Sequence, residues 1–410
     1  MEKRDRTILH CDLNGFYASV ECLSRPELRD VPMAVCGNPE NRHGIILAKN
    51  ELAKKCGVVT AETIWSARRK CPGLVLVPPH HDKYYELSKL VNRLYEQYTD
   101  MVEPFGIDES WLDVTGSLHL FGSGKDIADK IRAEVKGQLG LTVSVGVSFN
   151  KIFAKLGSDY KKPDATTVIS RENYRQILYP LPVSDLLYVG KAATGALARI
   201  GVTTIGQLAA YDRQVIAASL GKMGEMVHDY ANGIDDSPVA PAHSEGAAKS
   251  VGNGMTFRRD LVGMEDICAG LTALVDSVSA RLRQSGLKCN TVQLVILNPE
   301  FKAISRQKKL DRPTNLYREI RDTAIEIVRS SWNLNAPIRM LTVTAMNLVP
   351  EGASEQLSFF GEEDRGRRAK IEKIEHAVDS IRGRFGKSAI SMGLNKRTDI
   401  GIGGSEGTDD

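Results

Sequence analysis

The 410-residue chain is short of aromatics (6%), and its seven cysteines include no CxxC pair. It is also nearly neutral, with 54 Lys and Arg against 51 Asp and Glu and a net charge of +3. Each shortage excludes something. Without CxxC pairs or Cys/His clusters at metal spacing, zinc modules are out. An odd cysteine count in a long chain fits a reduced, cytoplasmic protein whose cysteines pack as small hydrophobes. No apolar run approaches the roughly 18–20 residues of a membrane span; stretches such as Gly73–Val77 are far shorter. The opening MEKRDRTILH lacks the apolar segment of a signal peptide. With 42% hydrophobic and 26% charged residues the composition is that of a globular protein, not a fibrous or unfolded one. The length predicts two to four domains. Near-neutrality weighs, at first, against a nucleic-acid binder.

The pattern along the chain is mixed. Residues 7–13 read as a buried strand, and 14–23 as a helix with Asn14 as its cap. Short strands are expected at 33–36, 45–48 and 74–77, and short helices at 50–56 and 64–70. A long amphipathic helix over 82–100 precedes a strand pair, 102–105 and 107–114, around Gly106. Helix 127–138, strand 142–149, helix 151–159 and strand 167–169 complete an α+β or mixed α/β domain. From Arg171 the chain becomes helical, with a helix–Gly turn–helix over 189–209. Residues 234–249, rich in Pro, Ala and Ser, read as a linker. A second α+β domain follows, in the order strand 250–259, helix 266–285, strands 290–297 and 301–310, helix 314–331 and strand 338–347. A charged helix is expected at 362–385 and disorder at 401–410.

Several clusters could carry chemistry. Asp12 closes one strand, and Asp108-Glu109 open another. Carboxylates on neighbouring strand ends can hold two divalent cations about 3.5–4 Å apart. Adjacent strand residues face opposite ways, so Asp108 and Glu109 converge only if a turn or bulge intervenes, which Pro104 and Gly106 would permit. A lone Asp-Glu pair near a turn is more often solvated surface. Lys54, Lys55, Lys161 and Lys162 could neutralise phosphates, although each alone also fits a solvated face. Phe16 and Tyr17 follow Asp12 closely enough to wall a sugar site, while a core role suits Phe16. Gly190, Lys191, Gly195 and Gly201 place backbone N–H groups near a helix start, where phosphate binds, or simply a tight turn. Gln356-Leu-Ser-Phe-Phe360 sits between Gly352 and Gly361 in a polar stretch, as a partner-docking peptide would.

Taken in order, these segments resemble the Y-family translesion DNA polymerases, both the polymerase IV and the polymerase V catalytic-subunit branches. The motifs are HCDLNGFYASVE (10–21), GIDESWLD (106–113), and SVGVSFNKIFAK (144–155) followed by KKPD (161–164). The likeness runs from about Ile8 to Phe360. It implies an α+β multidomain right-hand polymerase. Residues 1–14 and 81–169 would form a ferredoxin-like palm, 15–80 small fingers, and 170–240 a helical thumb with a helix-hairpin-helix. Residues 247–349 would form a β-α-β-β-α-β little finger, and 350–410 a clamp-binding peptide, a helix and a disordered tail. The resemblance further implies that Asp12, Asp108 and Glu109, with the Leu13 carbonyl, bind two Mg²⁺ ions. Tyr17 falls at the sugar-gate position beside Phe16, and Lys162 and Lys54 at triphosphate positions. Gly190, Lys191, Gly195, Arg258, Arg259, Lys302, Arg306, Lys308 and Lys309 would contact primer-template DNA. Gln356, Leu357, Phe359 and Phe360 would bind a sliding clamp. The implied activity is error-prone, lesion-bypassing DNA synthesis from deoxynucleoside triphosphates by a cytoplasmic monomer.

The chain departs from the family pattern in places. Asn14 stands where a second Asp is common, Glu51 where a Tyr is, and Lys54 where an Arg is, and Gly106 and Trp111 are also unusual. Lys for Arg and no Tyr resembles the polymerase V branch. A Lys cannot grip phosphate bidentately. Two other functions use the same residues: a metal-dependent phosphodiesterase, and a non-catalytic, clamp-recruited DNA-binding scaffold. The first would not need Lys54, Lys162 or Tyr17, and the second would not need all three carboxylates. The charge is also unevenly spread. Residues 250–345 carry 14 Lys and Arg against nine Asp and Glu, a local +5 that leaves −2 elsewhere. Phe301–Arg312 concentrates that excess where a DNA backbone would run.

Overall fold

Strand β1 (Ile8–Leu13) is buried at all six residues, so it must lie inside its sheet with both faces covered. The computed structural model describes residues 5–38, 44–244, 246, 248–352, 362–386, 389–391 and 398–402. They fall into two units, one built on Met1–Glu245 and the other on Gly246–Gly407.

In the first unit β1 leads to helix α1 (Phe16–Ser24). A small lobe follows: β2 (Met33–Cys36), β3 (Ile46–Lys49), α2 (Glu51–Lys55), α3 (Ile64–Lys70) and β4 (Val75–Val77). Its three strands pair in the order β3-β2-β4. The Asn50 side chain caps α2 by accepting from Ala53 N–H. Next come α4 (His81–Tyr95), β5 (Val102–Pro104), β6 (Glu109–Asp113), α5 (Leu118–Phe121), α6 (Gly124–Leu139), β7 (Val143–Ser148), α7 (Lys151–Tyr160) and β8 (Thr166–Val168). The main sheet has the order β5-β6-β1-β7-β8, with only β7 and β8 parallel.

Strand alternation decides what each face of this sheet carries. Leu9, Cys11 and Leu13 point into a core shared with Tyr84, Val91 and Leu94 of α4 and Ile127, Ile131 and Val135 of α6. Ile8 packs on the other face with Trp111 and with Ala154 of α7. Gly146 sets how closely α7 approaches. A Cβ there would lie 1.8 Å from the Ala154 carbonyl oxygen and 2.5 Å from Ser158 N, so only glycine admits the helix.

Helices α8 (Tyr174–Leu178), α9 (Lys191–Arg199), α10 (Ile205–Ala210), α11 (Arg213–Leu220) and α12 (Lys222–Ala231) share a core with Phe149 and Phe153. The expected helix-turn-helix is α9 and α10, turned at Gly201 (φ 79°), and Thr204 with Gln207 forms a capping box on α10.

The second unit contains β9 (Ser250–Leu261), α13 (Gly263–Gln284), β10 (Leu287–Leu297), β11 (Ala303–Thr314), α14 (Tyr317–Ser331), β12 (Ile338–Pro350) and α15 (Glu362–Phe385). Its antiparallel sheet has the order β11-β10-β12-β9, and α13 and α14 share its apolar core.

Four expectations need correction. The second strand around Gly106 begins at Glu109 rather than 107, because residues 105–108 form a bend. Gly15, in left-handed conformation (φ 53°, ψ 43°), caps α1, and Asn14 does not. The stretch read as a linker is tied to the first unit over its first half: Val239 is buried, Ala240 N–H donates to Glu103, and Arg6 donates to the Asp235 and Ser237 carbonyls. Finally, Ile400 and Ile402, close to or within the tail read as disordered, pack into the second unit's core, while 403–410 lie outside the described residues.

Candidate active site

Asp12 sits near the end of β1, directly across from Glu109 on β6. Facing residues on antiparallel strands hold their Cβ atoms about 4.5–5.5 Å apart on one side of the sheet. His10, two residues before Asp12, shares that side, and α7 covers it. The bend at 105–108 resolves the problem of the adjacent acids. Asp108 stands before the strand, so strand alternation does not send it to the far side. Leu13 N–H donates to the Asp108 carbonyl (3.0 Å), which pins the bend to the end of β1.

Two lysines face this acidic row. Lys155 Nζ lies 2.6 Å from Glu109 Oε2. Lys162 Nζ lies 2.7 Å from Asp12 Oδ2 and 2.7 Å from Asp159 Oδ1. His10 Nδ1 contacts Ser158 Oγ at 2.8 Å, and its Nε2 lies 3.3 Å from Glu109 Oε2. Burial pushes Asp12 up to about 6 against the pull of Lys162, with Glu109 adding to the rise. Burial and Glu109 also raise Asp108. Burial opposes ionisation of Glu109 as well, but the neighbouring His10 ring and the hydrogen-bonded Lys155 ammonium hold it at about 2. Burial lowers His10, with Glu109 opposing.

A divalent cation suits this set. Asp12 and Asp108, both pushed up by burial beside Glu109, are short of positive charge, and the Lys162 ammonium already supplies part of it to Asp12. Among the described residues, no three His, Cys, Asp or Glu side chains are placed to hold one ion as they stand. Oxygen ligands from substrate phosphate and water would have to complete any shell, as hard cations prefer.

The remaining residues distribute around this row. The Phe16 side chain is in the core, which matches its plainer reading. Tyr17 is partly exposed and stacks on Tyr84. Asn14, in place of a second Asp, is a bridge: its Nδ2 donates to Ser144 Oγ and its Oδ1 accepts from Asp164 N–H, both at 2.8 Å. It thereby ties the loop after Lys162 to β1. A cleft of about 400 Å³ opens beside it, bordered by Gly15, Lys49, Glu51, Pro163 and Asp164. Lys54 is exposed and sits 3.4 Å from Glu51 Oε1.

Residues 11–159 match the impB/mucB/samB family, and residues 248–359 match that family's C-terminal domain. The chain is 49% identical to a protein named DNA polymerase IV from Acetivibrio thermocellus, over 95% of this chain and 97% of that one. It is 37% identical to another so named from Clostridium kluyveri, over 95% of this chain and 98% of the other. The chain belongs to the impB/mucB/samB family, the Y-family DNA polymerases. Both relatives carry the polymerase IV name, so the changes at Glu51 and Lys54 do not by themselves mark the polymerase V branch. A solved Y-family DNA polymerase chimera superposes with a TM-score of 0.74 at 22% identity, covering 84% of this chain and 99% of the other. The fold is thus the right-hand polymerase fold with a little finger.

In this Y-family member Gly190 is the N-cap of α9 and Lys191 begins that helix. Nothing lies within 4 Å of where a Cβ would sit on Gly190 or Gly195, so neither glycine is required by close packing in the chain alone. Lys302, Arg306, Lys308 and Lys309 lie on or beside the edge strand β11. Lys308 pairs with Glu326 on α14. The Arg258 side chain lies against Gly401. The Arg259 guanidinium binds Asp266 at 2.5 Å and Asp399 at 2.6 Å, a tie within the unit. Gln356, Leu357, Phe359 and Phe360 lie outside the described residues. His10 and Lys155 escaped the sequence reading of the site. The signal was there: His10 shares a strand face with Asp12, and Lys155, Asp159 and Lys162 repeat at helical spacing.

Proposed function

We propose that this chain is a template-directed DNA polymerase that adds deoxynucleotides to a primer 3′-OH and continues past damaged template. The facing pair Asp12–Glu109, with Asp108 in the adjoining bend, carries this reading. Relatives of this family support a divalent-metal requirement, and we assign two Mg²⁺ ions to Asp12, Asp108, Glu109 and the Leu13 carbonyl. Bound there, the ions would supply charge neutralisation at the attacking and leaving oxygens of an in-line phosphoryl transfer.

The chain's own residues do the rest. Asp12, Asp108 and Glu109 fix where positive charge collects. Lys162 exchanges Asp12 for a phosphate oxygen when the triphosphate enters, and Asp159 keeps its ammonium aimed in the meantime. Asn14 holds the loop that carries Lys162. Lys54 is a weaker, outer contact, because it is exposed and shared with Glu51. Tyr17, flanked by Phe16, is the sugar gate that turns away a 2′-OH. Positioning and fixed charge of this kind account for most of the rate in phosphoryl transfer.

We assign the palm to 1–14 and 81–169, the fingers to 15–80, the thumb to 170–240 and the little finger to 247–349. The thumb holds the duplex backbone through Gly190, Lys191 and Gly195. The little finger grips it through Arg258, Lys302, Arg306, Lys308 and Lys309. Gln356–Phe360 is the segment for a sliding clamp, and the working form is a monomer in the cytoplasm. No helix of the described residues is long and apolar enough to cross a membrane.

Primer extension on intact and abasic templates with Mg²⁺ tests this reading. Stepwise lengthening of the primer is expected on both; shortening of the strand would instead identify a phosphodiesterase.

A further inference from the structure

Tyr17 does not stand alone. Its ring lies on the ring of Tyr84, with centroids 4.1 Å apart and planes 14° from parallel. Phe16 flanks it at 5.8 Å, and His81 meets it edge-on at 5.9 Å. Tyr84 is fully buried on α4. Its hydroxyl donates to Glu21 Oε1 at 2.5 Å, and the same oxygen lies 2.8 Å from His80 Nδ1. Glu21 is itself buried, and its other oxygen lies 3.4 Å from Arg25.

Glu21 lies four residues after Tyr17 on α1, one turn along the same face. Helix α1 therefore grips Tyr84 at two points: the Tyr17 ring on its face and the Glu21 carboxylate on its hydroxyl. A carboxylate hidden at this depth needs partners, and Tyr84, His80 and Arg25 supply them.

A sugar gate excludes a 2′-OH only if its ring cannot retreat. Displacements of about 1 Å are enough to change such fits by orders of magnitude. The ring of Tyr17 has Tyr84 behind it, and Tyr84 is closed in by core packing and by Glu21. We propose that Tyr84, locked by Glu21, is the backstop of the gate: it fixes how far Tyr17 can recede and so sets the discrimination between deoxyribo- and ribonucleoside triphosphates. Tyr84 and Glu21 are positioning residues acting through Tyr17, and the inference rests on the gate role proposed above for Tyr17.

The test is single-nucleotide insertion of dCTP and CTP opposite template dG by the full chain. The readout is the ratio of the two kcat/KM values, in which a general loss of activity cancels. Tyr17→Ala is the reference and should collapse the ratio. Tyr84→Leu, which removes the stacked ring, should lower it about tenfold by letting the gate recede. Tyr84→Phe keeps the ring but loses the lock and should fall between Tyr84→Leu and wild type. If Tyr17→Ala collapses the ratio while Tyr84→Leu and Tyr84→Phe both match wild type, the backstop is wrong and Tyr84 is only packing. If Tyr17→Ala leaves the ratio unchanged, the gate role itself fails. Should Tyr84→Leu not fold, Tyr84→Phe decides alone: a lowered ratio supports the lock and an unchanged one overturns it.

Discussion

Lys162 reaches the Asp12 carboxylate at 2.7 Å, across the end of the strand whose other neighbour contributes Glu109. The pairing explains why a desolvated Asp12 is tolerated, since an ammonium offsets part of the cost of burying its charge. On the triphosphate role proposed above, a phosphate oxygen would replace Asp12 as the partner of Lys162.

Lys162→Ala should therefore raise the apparent KM for deoxynucleotide roughly 10- to 100-fold, the equivalent of one charge-assisted hydrogen bond of about 1.5–3 kcal/mol. Lys54→Ala should change it less than about threefold, as expected for an exposed, already paired lysine. Steady-state single-nucleotide insertion with both variants measures the contrast, and equal effects would shift the triphosphate grip back to α2.

Gly146→Ala should damage both stability and activity. The new methyl group would overlap the backbone of α7, the helix that presents Lys155 and leads to Lys162. A cost of about 3 kcal/mol or more is expected for an overlap that neither backbone can avoid. Urea unfolding followed by intrinsic fluorescence reads the stability loss.

The second unit makes a different prediction. Helix α15 turns its charged residues inward: Arg368, Glu372, Glu375, Asp379 and Arg382 meet Glu319, Lys288, Arg283 and Asp276. Ile374, Ile381 and Phe385 on the same helix are exposed. Arg283, whose side chain is only 4% exposed, holds Glu375 and Asp379 together. Arg283→Ala leaves two carboxylates without their main partner and should cost about 3–5 kcal/mol. Hydrogen exchange should show α15 opening first; unchanged protection there would remove the ion pairs as its anchor.

Acid stability offers a further check in the small lobe. Burial opposes the charge on Glu62, but Lys70, the Val59 N–H and Ser66 hold its carboxyl down at about 2. The folded value is below the unfolded one, so the stabilisation is complete above about pH 4.5, the ordinary glutamate range. It is lost as the pH falls toward 2. Glu62→Gln should flatten that part of the stability profile, measured by thermal melts between those values. An identical slope in the variant would assign it to other groups.

Much of this was legible beforehand, and the exceptions have physical causes. Strand β1 could be read because it is apolar on both faces apart from the residues that carry chemistry. Asp12, Asp108 and Glu109 could be named as candidates from their motifs, but not that Asp108 stands in a bend, outside the alternation that a longer strand would impose. Asn14 looked like a helix cap by residue type, yet both ends of its amide are taken by Ser144 and Asp164, partners 130 and 150 residues away. No local pattern reports contacts at that range. Helix α15 could be read as a charged helix but not how it packs, because periodicity rules expect apolar residues to face inward, and here ion pairs do. Tyr84 gave no signal at all: it sits on an ordinary amphipathic helix, and only its stack on Tyr17 and its bond to Glu21 distinguish it.

The most direct test of the central assignment is primer extension with Mg²⁺ by the full chain, comparing wild type with Asp108→Ala plus Glu109→Ala. Wild type should extend the primer and the double variant, still folded by circular dichroism, should add no nucleotide above background. Equal extension by the double variant, or none by wild type, would contradict the placing of polymerase chemistry at these carboxylates.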